Sequence, residues 1–134
     1  MRYSGIDFIK IGIVGPPPRR VETGTRFYAA GPAVEKLSFL DGDGISYRNL
    51  GDKCSSAAAM KMCYAALTKG TMTLQTSVLI AAELLGISDQ LHNELGASQA
   101  YHWELMKKRV PFLPADADRW AGEMDEISET FADV

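Results

Sequence analysis

"SSAAAMKMCYAALTKG", residues 55–70, is the stretch on which the reading of this chain turns. Thirteen of its sixteen residues are small, apolar or hydroxylic, and the others are one tyrosine and two lysines. No proline occurs from Asp52 to Leu85 and the only glycine is Gly70, so the spacing predicts one helix from Asp52 or Lys53 to Leu85, stopped by Gly86. Such a helix is far longer than the usual ~11–12 residues. Apolar residues occupy most of its faces over 57–66 and 77–85, which predicts a central helix with neighbours around it. Lys61 is the anomaly, a cation on a stripe built for close packing. One reading is an amphipathic stem lying along apolar surface with its amine in water. The other is an amine held in a cleft walled by Ala57, Ala58 and Ala65, placed to exchange a proton with a bound hydroxyl.

Working back from this helix, the chain reads as short strands and turns. "DFIKIGIVG" (7–15) is a buried strand that ends abruptly, because Pro16–Pro18 cannot donate to a ladder. "TRFYAAG" (25–31) is a second strand, "PAVEKLSFL" (32–40) a short helix opened by proline, and "ISYRNLG" (45–51) a third strand. "DGDG" (41–44) is turn chemistry; as a calcium loop it would lack glycine at the sixth position and glutamate at the twelfth. Working forward, Ser88 is expected to cap a helix over 88–98, and a further helix follows over 99–110. Pro111 and Pro114 are expected to break the chain. The last segment sets Trp120, Met124, Ile127 and Phe131 on one helical face with acids opposite and Asp116 as cap. The fold class is therefore α+β and mostly α.

Bulk properties narrow the function. A chain of 134 residues with 46% hydrophobic residues can bury a core as one ordinary domain. No apolar run reaches the ~18–20 residues of a membrane span, and the N-terminus has no apolar export segment. Net charge is −3 and uneven, +4 over residues 1–82 and −7 over 83–134, and the acidic half argues against general nucleic-acid binding, which wants a basic stripe. Cys54 and Cys63 fit no metal or redox spacing and would share a helix, which points to free thiols in a reducing cytoplasm. His92 and His102 lie on different expected helices without metal-ligand spacing and read as structural. Ser55 and Ser56 read as first-turn residues rather than nucleophiles. The chain lacks G-x-G-x-x-G between a strand and a helix, and it lacks a P-loop.

The order strand, "GIVGPPP", strand, "AAGP", helix, strand, "LG", then "SSAAAMKMCYAALTKG" at the head of a long helix resembles the β-hydroxyacid dehydrogenase superfamily. The likeness is greatest to its phosphogluconate-dehydrogenase-like branch, whose helical domain carries K-M-x-x-A-A-x-T-K-G. The resemblance implies that residues 1–51 are the end of a Rossmann NAD(P)-binding domain and 52–134 the start of an all-helical domain. It makes Lys61 the catalytic acid/base and places Val14, Gly15, Tyr64, Ala65 and Lys69 at the substrate. Better-known members have serine where Val14 stands and asparagine where Ala65 stands, so their substrates do not carry over. The cofactor implied is NAD or NADP in the full-length enzyme. Without the glycine fingerprint, tight binding by this chain is not expected. Both ends look cut from something larger, and a homodimer acting on a small molecule is the implied assembly. The competing reading is a non-catalytic helical module that dimerises through the apolar faces of 72–85 and 120–131.

Overall fold

The computed structural model describes residues 7–19 and 24–132, and Arg20, Val21, Glu22 and Thr23, expected from the sequence to lie in a loop, are outside the described residues. The chain divides into two compact units, Met1–Tyr64 and Ala65–Val134.

The first unit holds three strands, β1 (Lys10–Val14), β2 (Thr25–Ala30) and β3 (Ile45–Asn49), in the order β1-β2-β3. β1 pairs antiparallel with β2, with Gly12 opposite Tyr28, and β2 pairs parallel with β3, with Phe27 opposite Tyr47. The three expected strands therefore form, each somewhat shorter than its expected stretch. The expected helix at 32–40 is a 3₁₀ turn over Val34–Leu40. Its aligned Asp41 carboxylate accepts the Tyr47 N–H (2.8 Å), so "DGDG" serves as a turn between that segment and β3. Tyr47 in turn donates its hydroxyl to the Val34 carbonyl (2.7 Å), tying β3 back to the 3₁₀ turn.

Alternation along β1 turns Gly12 and Val14 inward and leaves Ile13 exposed. Facing them is α1 (Ser55–Ala65), where Ala57 is fully buried. The contact is so close that a Cβ on Gly12 would stand 2.4 Å from the Ala57 carbonyl oxygen and 3.2 Å from Lys61 Cβ. Only glycine on the strand and a methyl on the helix permit this packing. The buried members of β2, Thr25, Ala29 and Ala30, are likewise small, so this core is shallow and tightly closed.

The backbone stays helical from Ser55 to Leu84, as the absence of proline predicts, but not as one α-helix. A π turn over Ala66–Gly70 separates α1 from α2 (Thr71–Leu84). α2 ends where Gly86 (φ 69°) donates to Glu83 and Ile87 donates to Ala82, the expected glycine stop. In the second unit α2 is followed by α3 (Ser88–Ser98), α4 (Ala100–Arg109), a 3₁₀ turn (Val110–Phe112) and α5 (Leu113–Ala132).

Three sequence expectations need correction here. Ser88 is the first helical residue rather than the cap, and its hydroxyl donates to Glu83 (2.6 Å) while Ile87 takes the cap position without a side-chain bond. Pro111 and Pro114 do not break the helical run, because each sits in the first turn of a segment, where no N–H is required. For the same reason α5 begins at Leu113, and Asp116 is inside its first turn, paired with Arg119 (2.6 Å), not at its cap.

The second unit is thinly covered. Ala82, Met106 and Trp120 are buried, and His92 stacks on Trp103 (centroids 4.7 Å apart) to join α3 to α4. α2 is not enclosed as its apolar composition predicts: Leu74, Ile80 and Leu84 are exposed.

Two outcomes test this account. Gly12→Ala is expected to destabilise the fold by about 1–3 kcal/mol through overpacking, read as a lower urea midpoint; an unchanged midpoint would refute the close approach. Burial, then the Glu35 charge, holds the Tyr47 hydroxyl above its usual 10.0. The folded state therefore retains this proton where the unfolded state loses it, and stability falls as pH rises past tyrosine's ordinary value. Tyr47→Phe is expected to flatten that alkaline limb in pH-dependent melts.

Candidate active site

Lys61 stands one helical turn beyond Ala57 on α1, on the side that meets Gly12. Its side chain is half-buried, and among the described residues its amine has neither an ion-pair nor a hydrogen-bond partner. The small-residue wall foreseen around it exists in part. Ala57 is already covered by β1, so the strand occupies the space that a ligand ring would have used at that position.

Gly15 ends β1 in a conformation (φ 104°) that L side chains rarely adopt, and a Cβ there would lie 2.1 Å from the Gly24 carbonyl oxygen. Thr25, itself buried, donates its hydroxyl to the Pro16 carbonyl and so pins the proline turn to the start of β2. A turn of fixed geometry thus follows the strand that packs on the lysine-bearing helix. Val14 contributes a buried side chain, and Tyr64 an exposed ring on α1.

The other named residues belong to the second unit. Ala65 is buried. Lys69, on the π turn, pairs with the Glu123 carboxylate of α5, each side chain about one-fifth exposed (20% and 23%). It also lies over the Trp120 ring, 5.6 Å from the centroid. The anion it meets is therefore supplied by the chain itself. Sequence spacing could not reveal this, since Glu123 is brought to Lys69 by packing of α5 against the π turn rather than by helical periodicity. Lys61, Val14, Gly15 and Tyr64 are thus held in one unit, and Ala65 and Lys69 in the other.

Cys54 and Cys63 are both free thiols, with Cys54 Sγ directed at the Phe8 carbonyl (3.6 Å). Among the described residues no three His, Cys, Asp or Glu side chains come together as metal ligands. No helix among them is long and apolar enough to cross a membrane.

A family model described as a domain of unknown function, DUF1932, matches residues 82–134. Among solved structures, the chain is similar to the conserved protein MTH1747, itself described as of unknown function and as structurally similar to 3-hydroxyacid dehydrogenases. That match has a TM-score of 0.68 at 26% identity and covers 96% of this chain, which spans 50% of the length of that protein. A comparison with curated proteins gives no match. The likeness to the β-hydroxyacid dehydrogenases drawn from "GIVGPPP" and "SSAAAMKMCYAALTKG" is thus met at the level of the three-dimensional fold.

Because Lys69 and Glu123 are largely withdrawn from water, removing one charge strands the other. Lys69→Met is expected to cost about 1–2 kcal/mol, less than for a fully buried pair. Adding Glu123→Gln to it should recover part of that loss in thermal melts. Equal melting temperatures for wild type and Lys69→Met would show the pair to be energetically idle.

Proposed function

We propose that this chain is the lysine-bearing part of an NAD(P)-dependent oxidoreductase that acts on a hydroxyl-bearing, β-hydroxyacid-like small molecule, and that it does not turn over substrate by itself. The observation that carries this reading is the half-buried Lys61 amine, without a partner among the described residues, on the helix that packs directly against Gly12. The likeness to a structure related to 3-hydroxyacid dehydrogenases adds the reaction class.

The described residues do not fit a dinucleotide cradle. Such a cradle needs a strand, a glycine-rich turn and the first N–H groups of a helix. β1 runs instead into Gly15 and Pro16–Pro18, which offer three positions without N–H, β2 runs into a 3₁₀ turn, and β3 reaches α1 through a segment with one glycine, Gly51, rather than a glycine-rich turn.

Lys61 would take the proton of the substrate hydroxyl, and return it in the reverse direction, while a nicotinamide held by the intact enzyme would supply the acceptor for the hydride of the same carbon. An amine already engaged by a carboxylate would be a poor proton acceptor, and Lys61 has no such partner among the described residues. Gly15 brings backbone rather than side chain to the substrate, in a turn held by Thr25. Val14 and Ala65 stand where better-known enzymes carry polar groups, so the substrates of those enzymes do not carry over to this chain. Tyr64 closes the same helix end, and Lys69 is available to a substrate anion only by exchange with Glu123. In this reading residues 1–51 end the nucleotide-binding domain and 52–134 begin the helical one, and the protein is a cytoplasmic homodimer.

A second reading has an observation of its own. Leu74 (65% exposed), Ile80 (55%) and Leu84 (82%) leave much of α2 uncovered, as expected of a helical module that pairs with another copy without any chemistry.

Two measurements test the proposal. In a relative that carries its own dinucleotide-binding residues, replacing the lysine that aligns with Lys61 by alanine should lower kcat by about 10²–10⁴-fold with an unchanged circular dichroism spectrum. A rate equal to wild type would remove the dehydrogenase reading. In this chain Lys61→Ala should shift stability by less than about 0.5 kcal/mol, since no buried bond is lost.

A further inference from the structure

Two hollows adjoin in the helical unit. The larger, of ≈530 Å³, runs between α2 and α4 and is walled mainly by apolar side chains, Leu67, Leu74, Val78, Leu95 and Leu105 among them. The smaller, of ≈300 Å³, is lined by Lys69, Lys108 and Arg109 together with Met72, Phe112 and Trp120. Thr68, Met72 and Arg109 line both, so one space passes from an apolar trough into a cationic end. Both volumes lie in the range of small-molecule sites.

The charges at that end are unevenly spent. Lys69 is neutralised by Glu123, but Lys108 and Arg109 have no ion-pair partner among the described residues. They are the last residues before the 3₁₀ turn, so the end carries two uncompensated positive charges in a unit whose overall balance is acidic. Trp120 is 9% exposed, and its indole N–H has no acceptor among the described residues. An unmet buried donor on a side chain that lines the same hollow as the exposed Lys108 and Arg109 suits an anion's oxygen at that end.

We propose that this space binds an amphipathic carboxylate, with its hydrocarbon chain along Leu74, Val78 and Leu105 and its carboxylate at Lys108 and Arg109. Burying the chain supplies the affinity, and the guanidinium, which can hold both carboxylate oxygens at once, supplies the preference for an acid over an alcohol. The site is independent of Lys61, which lies in the other unit.

Calorimetric titration of the full chain with decanoate tests this, with decanol as the uncharged comparison and sedimentation velocity run in parallel. Saturable one-to-one decanoate binding is expected, with decanol weaker by about tenfold or more. Arg109→Gln combined with Lys108→Gln should reduce decanoate to the level of decanol, while Val78→Asp should weaken both. Lys61→Ala should leave the titration unchanged, so that this site and the proton-transfer reading can fail separately. Equal binding of acid and alcohol, or decanoate binding insensitive to the double substitution in a folded variant, overturns the proposal. So does a dimeric chain that takes up no decanoate, which would assign the trough to a second copy.

Discussion

The first unit depends on one steric fact: β1 and α1 touch backbone to backbone at Gly12 and Ala57. A Cβ at Gly12 would sit 2.4 Å from the Ala57 carbonyl oxygen, well inside any permitted contact. Everything nearby follows from this closeness. Val14, the next inward residue of β1, is buried, and the small side chains of Ala29 and Ala30 on β2 keep the sheet low enough for the helix to settle. Because Lys61 follows Ala57 by one turn, the same contact carries its stem to the sheet. A cation on a small-residue stripe is thereby explained. Ala57 lets two backbones meet, and the lysine stands one turn beyond that meeting.

The helical unit is organised by different forces. Its buried side chains are few, and much of α2 and the end of α4 faces outward. Cohesion comes from particular pairings: His92 on Trp103 between α3 and α4, and Lys69 with Glu123 and Trp120 between the π turn and α5. Such pairings orient helices without filling the space between them, and hollows with mixed walls are the result. A trough apolar along its length and cationic at one end is what remains when Leu74 and Val78 face Leu105 while α4 ends in basic residues.

Local chemistry made most of the fold legible. Each strand was found within its expected stretch, since β-branched runs closed by glycine or proline have few alternatives. The long helical run was legible from the lack of proline, and its stop from Gly86. The errors share a cause. Serine, aspartate and proline near a helix start fit several positions within the first turn, and which one they take depends on neighbours such as Glu83 for Ser88 and Arg119 for Asp116. Within the candidate site, Lys61 was singled out because its charge conflicts with its surroundings. Its actual neighbour, Gly12, was not, because an isolated glycine in a strand does not say what approaches it.

The sequence alone determined the kinds of elements, their order, and the oddity of Lys61, because backbone preference and apolar periodicity act over a few residues. The tertiary structure decided which side chains meet. It put β1 rather than a ligand over Ala57, gave Lys69 the carboxylate of Glu123, and inserted the π turn at Ala66–Gly70. The first two of these join residues tens of positions apart, and such contacts are settled only when packing and charge compensation are resolved together across a folded unit.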